Sequence, residues 1–383
     1  MSRPSLGEAH LTARAWFLER AEAYGLETHV DAAGNHSAVL PADGPALLLG
    51  SHLDSVPNGG RYDGALGVVA ALHVLVALRD AKLPLALEAI DFTDEEGTLV
   101  GLLGSEALTG ALSAEALRNP RGGREALLAG LERAGLREER LADARRDPAM
   151  LAGYLELHVE QGPRLERAGA QIGIVSGIVG SRSLVLDFRG LSNHAGTTPM
   201  DARRDAGLAA AAFSVAANAL VRDFPGCVAT VGDMQFEPGG FNVVPGSARV
   251  SLECRSPEAA QLDALEAALL GEARAAGERH ALGVEATIVG RWAPAELDRS
   301  VREAIASAAG GLGLTTLELP SGAGHDAQAL AAVTPAGMIF VPSTGGVSHD
   351  PREHTRWEDC VNGADTLLRA ALELCGSYAG RGA

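Results

Sequence analysis

The stretch Gly50-Ser-His-Leu-Asp-Ser-Val-Pro-Asn-Gly-Gly-Arg-Tyr-Asp-Gly-Ala-Leu-Gly67 is polar and glycine-rich between two ordinary apolar segments. The run from Pro45 to Val56 that leads into it reads as a buried strand, because its leucines follow one another without alternation. Residues two apart in a strand share a face, so His52 and Asp54 are expected as neighbours. Such a pair suits a metal-ligating imidazole whose other ring nitrogen is held by a carboxylate. It suits a purely structural hydrogen bond equally well. Past the Pro57-Asn58-Gly59-Gly60 loop, Asp63 stands at the head of a helical pattern that starts at Gly64, either as a simple cap or as a carboxylate presented at the edge of a sheet.

Outward from this stretch, a helix follows over Leu66 to Leu78 and a second buried strand over Leu85 to Phe92, the alternation of an α/β sheet. That strand runs out into Thr93-Asp94-Glu95-Glu96-Gly97, placing adjacent acids where open α/β sheets bind their ligands. On the other side, apolar residues at helical spacing over 4 to 25 precede a Gly34-Asn35 turn. Residues 105 to 150 read as two or three surface helices with solvated charges. Tyr154 to Gly162 alternates as a strand, which puts Glu156, His158 and Glu160 on one face.

From about Val179 the pattern changes. Strand Ser183 to Phe188, loop GLSNHAGTTPM, helix Asp201 to Phe224, strands near Val228 to Phe236 and Ala248 to Arg255, helix Pro257 to Leu282 and strand Val284 to Trp292 give a β-α-β-β-α-β order. The expected fold is therefore a mixed-sheet α/β domain, residues 1–178 and 292–383, carrying an inserted α+β domain of ferredoxin-like order at 179–291. The outer strand of the insert would be exposed unless paired with another chain, so a homodimer is expected. The remainder holds a helix from Asp298, the segment Ser321-Gly-Ala-Gly-His-Asp326, a strand Met338 to Pro342, a loop of small residues around His349, and a last helix from Trp357 to Cys375.

Composition narrows the function. The 383 residues carry a net charge of −17 and no basic block longer than a pair such as Arg203-Arg204, which argues against nucleic acid. No 18-residue apolar run and no signal pattern occur, so a cytoplasmic protein without membrane contact is expected. Cys227, Cys254, Cys360 and Cys375 are scattered and form no Cys-x-x-Cys motif, so neither a thiolate metal site nor a dithiol redox centre is indicated.

His52, Asp63, Glu96, His158 and His349 each fall at a strand end or in an adjoining loop. Imidazole nitrogen together with carboxylate oxygen is the donor set of zinc or a related first-row divalent ion. With two such ions and only two carboxylates, the residual positive charge would acidify a water held there. Glu95 would remain off the metals, as a general base for that water and a proton donor to a leaving nitrogen.

The motifs GSHLDSVPNGGRYDG, TDEEG, ELHVEQGP, GLSNHAGTTPMDARRDA, FNVVPG, SGAGHDA and GGVSHDPRE resemble, in this order and over roughly residues 35 to 360, those of dinuclear zinc amidohydrolases of the hydantoinase/carbamoylase branch. That branch includes N-carbamoyl-L-amino-acid hydrolases, allantoate amidohydrolases and β-ureidopropionases, within the wider aminoacylase and carboxypeptidase superfamily. The resemblance implies that His52, Asp63 and His158 hold one ion and that Asp63, Glu96 and His349 hold the other, with Asp63 shared. Zinc is the expected metal, manganese and cobalt the alternatives. It implies further that Asp54 supports His52, Glu95 is the general base, and His194 reaches across a dimer to the oxyanion. Asn242 and Arg255 would bind the substrate carboxylate, with Gln161 and Gly324-His325-Asp326 lining the pocket. The expected activity is hydrolysis of the carbamoyl C–N bond of N-carbamoyl-L-amino acids, with allantoate or β-ureidopropionate as rival substrates. An aminoacylase or dipeptidase is a further enzyme reading, and a binding protein that keeps the fold without catalysis is the non-enzymatic one.

Overall fold

A computed structural model describes residues 1–381. The chain forms two compact units, one of Met1–Ser176 together with the chain from Glu296 onward, the other of Gly177–Ala295. Each has its own apolar core.

In the first unit, a mixed sheet runs in the order Glu27–Val30, His36–Leu40, Ala86–Phe92, Ala46–His52, Leu151–Val159, Ala336–Val341, Ile172–Ile178. Its four central strands are parallel: His52 lies beside Phe92, Gly50 beside Glu156, and His158 beside Phe340. Parallel strands need helical covers on both faces, which is why these strands are largely apolar. Leu47, Leu49, Leu87, Leu155, Leu157, Ile339 and Val341 are fully buried, packed with Val68, Leu72 and Leu75 of the helix Ala65–Leu78 and with Leu367 of the helix Trp357–Arg381. The register aligns the carboxyl ends of these strands, so the polar segments after His52, Phe92, Val159 and Val341 emerge at one edge.

Residues 103–144 form the helices Leu103–Thr109, Ala114–Arg118 and Arg124–Arg133 and a 3-10 turn Glu138–Ala144. They are more than solvated surface. Leu99, Leu103, Leu127, Leu131 and Leu141 close over Leu6 in a small separate core, because charged positions alternate with leucines at helical spacing.

The second unit is a four-stranded antiparallel sheet in the order Gly283–Trp292, Gly180–Arg189, Ser247–Ser256, Val228–Glu237. Leu184, Leu186 and Phe188 alternate inward from one strand and Ala248, Val250, Leu252 and Cys254 from the next, all against the helices Ala206–Leu220 and Ala259–Arg279. The first helix begins later than residue 201, because Asp205 accepts the Leu208 N–H at 3.0 Å and caps it there. No described helix is long and apolar enough to cross a membrane.

Candidate metal centre

His52 is the last residue of its strand, so the alternation that would set Asp54 beside it has already ended. The chain leaves the sheet at Leu53, whose N–H is held by Asp91 at 2.7 Å, and returns to the site at Gly64. Gly64 has φ +64°, and a Cβ there would fall on the His52 ring. A glycine therefore admits the chain close enough to set Asp63 against two imidazoles. Asp63 Oδ1 lies 3.2 Å from His158 Nε2 and 3.6 Å from His52 Nε2, while Oδ2 lies 3.3 Å from His349 Nε2. His349 Nε2 is also 3.4 Å from Glu96 Oε2. Thus His52, Asp63 and His158 make one group of potential ligands and Asp63, Glu96 and His349 another, with Asp63 in both.

The donor set and its spacing fit divalent ions. Ligand atoms about 2.0–2.1 Å from a tetrahedral ion lie about 3.3 Å from one another, and the separations around Asp63 bracket that value. The imidazoles are also turned correctly. His158 Nδ1 donates to the Val159 carbonyl at 2.8 Å and His52 Nδ1 lies 3.1 Å from the Asp54 carbonyl, leaving both Nε2 atoms toward Asp63.

Electrostatics agree. Burial alone would lower His158, but the hydrogen bond and charge of Asp63 push it up to about 9. Burial would raise Asp63, and the hydrogen bonds from His158 and His349 hold it well below the usual range. His52 is lowered to about 4, chiefly by burial. Burial, then the charge of Asp63, raises Glu96 to about 7. Glu95 is held well above the usual carboxylate range by burial, then by Glu96 and Asp326. Such a cluster carries more negative charge than its surroundings solvate, and a cation relieves it as a proton does.

Glu95 lies in neither group. Its side chain is 9% exposed and its Oε2 is 3.4 Å from His52 Nε2. Asp54 differs from the sequence expectation: its backbone carbonyl faces His52, with the carboxylate 3.8 Å away. That carboxylate instead accepts the N–H groups of Glu95 at 3.3 Å and Glu96 at 3.2 Å, so it sets the turn bearing both acids. Glu160 also departs, because the strand ends at Val159. Its carboxylate receives the Arg164 and Leu165 N–H groups and starts the next helix. Glu156 is buried, accepting the Ser51 hydroxyl and the Ala327 N–H.

Among the expected pocket residues, the Gln161 amide donates to Asp63 Oδ2 at 2.9 Å and lies 3.4 Å from His349. Gly324 is exposed. His325 is fully buried: its ring stands edge-on to His158 at 4.6 Å, and its Nε2 is 2.8 Å from Ser321 Oγ. Asp326 is buried behind it.

His194, Asn242 and Arg255 belong to the second unit. His194 is exposed and pairs in register with Val243. Its Nδ1 accepts N–H groups from Gly196 and Thr197 at 3.0 and 3.3 Å, which leaves Nε2 as an outward donor. Asn242 is exposed, its carbonyl accepting the Ala195 N–H. Arg255 is half-buried and ion-paired with Glu253 on the same strand at 2.7 Å.

Several supporting residues carry no sequence signal of their own. Arg14 donates to Asp91 at 2.7 Å, and Asp91 in turn holds Leu53 beside His52. Asp94, at φ +61°, receives the N–H groups of Leu99, Val100 and Gly101 and fixes the loop after Glu96. Glu353 accepts the Asp63 N–H at 3.1 Å.

The chain matches the peptidase family M20/M25/M40 over residues 48–373. It is 38% identical over 357 residues to an N-carbamoyl-L-amino acid amidohydrolase of Geobacillus stearothermophilus, an alignment spanning 91% of this chain and 87% of that one. It is 33% identical over 398 residues to an allantoate deiminase of Arabidopsis thaliana, spanning 94% and 75% respectively. A solved hydantoinase/carbamoylase family amidase from Burkholderia multivorans superposes with a TM-score of 0.85 at 32% identity, covering 98% of this chain and 92% of that one. With the family model matched over residues 48–373, this chain belongs to peptidase family M20/M25/M40 and is an enzyme that hydrolyses C–N bonds.

Proposed function

We propose that the protein hydrolyses the carbamoyl C–N bond of N-carbamoyl-L-amino acids, releasing the amino acid, ammonia and carbon dioxide. The observation that carries the reading is the Asp63 carboxylate shared between two ligand groups, with Glu95 beside them and in neither. The similarity to an amidohydrolase of that specificity supports the substrate class. His52, Asp63 and His158 would hold one divalent ion, and Asp63, Glu96 and His349 the other, zinc being best suited to this donor set and manganese or cobalt able to replace it. When bound, the ions acidify a water and polarise the scissile carbonyl.

Glu95 takes the proton of the attacking water and passes it to the leaving nitrogen as the C–N bond breaks. Asp54, through the backbone of Glu95, keeps that carboxylate at the reacting atoms. The outward Nε2–H of His194 donates to the oxyanion, supplied by the partner chain of a homodimer formed through the inserted unit. Arg255 and Asn242 bind the substrate carboxylate, for which Arg255 must exchange its Glu253 partner. The setting of the reaction is cytoplasmic.

Ammonia release measured over N-carbamoyl-amino acids, allantoate, β-ureidopropionate and N-acetyl-amino acids, with zinc, manganese and cobalt each supplied, tests the reading. Highest turnover on carbamoyl-amino acids is expected. Preference for allantoate would move the chain to the specificity of its plant relative, and cleavage of N-acetyl-amino acids without ammonia would make it an aminoacylase.

A further inference from the structure

Glu353 lies four residues beyond His349 and is 2% exposed. Its Oε1 accepts two backbone N–H groups, from Tyr62 at 2.8 Å and from Asp63 itself at 3.1 Å. Its Oε2 accepts the Ser348 hydroxyl at 2.9 Å, and Ser348 Oγ is also 3.2 Å from Asp63 Oδ2. One carboxylate therefore ties together two loops that come from opposite ends of the sequence. Each loop bears a metal-ligating side chain, and neither is held by sheet pairing at that point: Asp63 lies eleven residues past its strand's last residue, and His349 has φ +55°, an unusual conformation for a side-chain-bearing residue. The packing leaves no slack, since a Cβ on Gly60 would overlap the Glu353 carboxylate. Gly60 and Gly64 thus let the Asp63 loop pass between Glu353 on one side and His52 on the other.

We propose that Glu353 is a positioning residue that fixes the spacing of Asp63 and His349, and thereby sets metal affinity, most strongly for the ion held by Asp63, Glu96 and His349, two of whose three ligands lie on the loops it ties. The inference rests on the metal-site reading above. Ligands presented by rigid strands, His52 and His158, keep their places without it; the loop-borne pair does not. Partners that orient ligands in this way typically change metal affinity by about 10–100-fold when removed.

The test is calorimetric titration of the metal-depleted full chain with Zn²⁺, with thermal melting recorded in parallel. Wild type is expected to bind two ions. Glu353→Ala should bind the ion of Asp63, Glu96 and His349 about 10–100-fold more weakly, and the other ion less weakened, since Asp63 alone among its ligands is displaced. Glu353→Gln, whose amide oxygen still accepts both backbone N–H groups, should stay within a few-fold of wild type, and Ser348→Ala should fall between the two. Equal weakening of both ions in Glu353→Ala, or none, overturns the inference, whatever happens to the melting temperature. If Glu353→Ala does not fold, Ser348→Ala decides: selective weakening of one ion sustains the proposal and unchanged binding overturns it. A wild-type chain that takes up fewer than two ions overturns the metal-site reading and this inference with it.

Discussion

Loading the site with ions should release protons in a number that the ligand environment specifies. In the metal-free protein His158 titrates at about 9, Glu96 at about 7 and His52 at about 4. At pH 7 the first carries essentially a full proton, the second about half and the third almost none, so these three must shed about 1.5 protons when both ions bind, and His349, raised above its ordinary value by the Asp63 hydrogen bond, adds to that. The protons belong to a coupled cluster, and the total, not its assignment to one ring, is the observable. The sign follows from competition: a proton on His158 Nε2 occupies the lone pair an ion needs, so affinity rises with pH and levels off above about 9. Asp63 is the main cause of the raised His158 value, so Asp63→Asn should abolish most of the release along with most of the affinity. Zn²⁺ titrations in buffers of contrasting ionisation enthalpy, at several values between pH 6 and 9.5, give the count directly. Release well below one proton at pH 7, or an affinity that is flat between pH 7 and 9, would refute the picture of Asp63 holding protonated His158 in wait for a cation.

Glu95→Gln should keep both ions and lose turnover by about 10²–10⁴-fold, because proton transfer is removed while both ligand groups stay intact; loss of metal by elemental analysis would make Glu95 a ligand instead. Arg255→Lys should raise KM for N-carbamoyl-amino acids while leaving kcat within a few-fold, since a lysine cannot reproduce a two-point contact with a carboxylate. The corresponding carbamoyl-amino amides should be poor substrates for both proteins, and equal kcat/KM for acid and amide in wild type would show that the carboxylate is not read. Gly64→Ala should cost on the order of 1–3 kcal/mol from its left-handed backbone alone and displace the His52 ring, which thermal melting and Zn²⁺ uptake would report together.

Much of the site was legible because its residues sit where strands end. The apolar runs ending at His52 and Phe92 announce buried parallel strands, and polar residues just beyond such runs have few places to go except the carboxyl edge of the sheet. The β-α-β-β-α-β order of the insert was equally open to reading, since its strands alternate and its helices repeat at helical spacing. Where strand alternation was extended past a strand's end, it failed: Asp54 and Glu160 sit beyond His52 and Val159, and their carboxylates turn to backbone N–H groups of nearby loops.

The sequence by itself determined the strands, the helices and the residue types able to ligate an ion, because these follow from short-range periodicity and side-chain chemistry. Only the tertiary structure decided which groups share Asp63, which face of Asp54 meets His52, that the His325 ring stands edge-on to His158, and that Glu353 joins Asp63 to Ser348. These are contacts between segments up to about 290 residues apart, and their geometry depends on parallel register and on glycines that let loops approach within van der Waals distance. Neither leaves a local pattern in the chain.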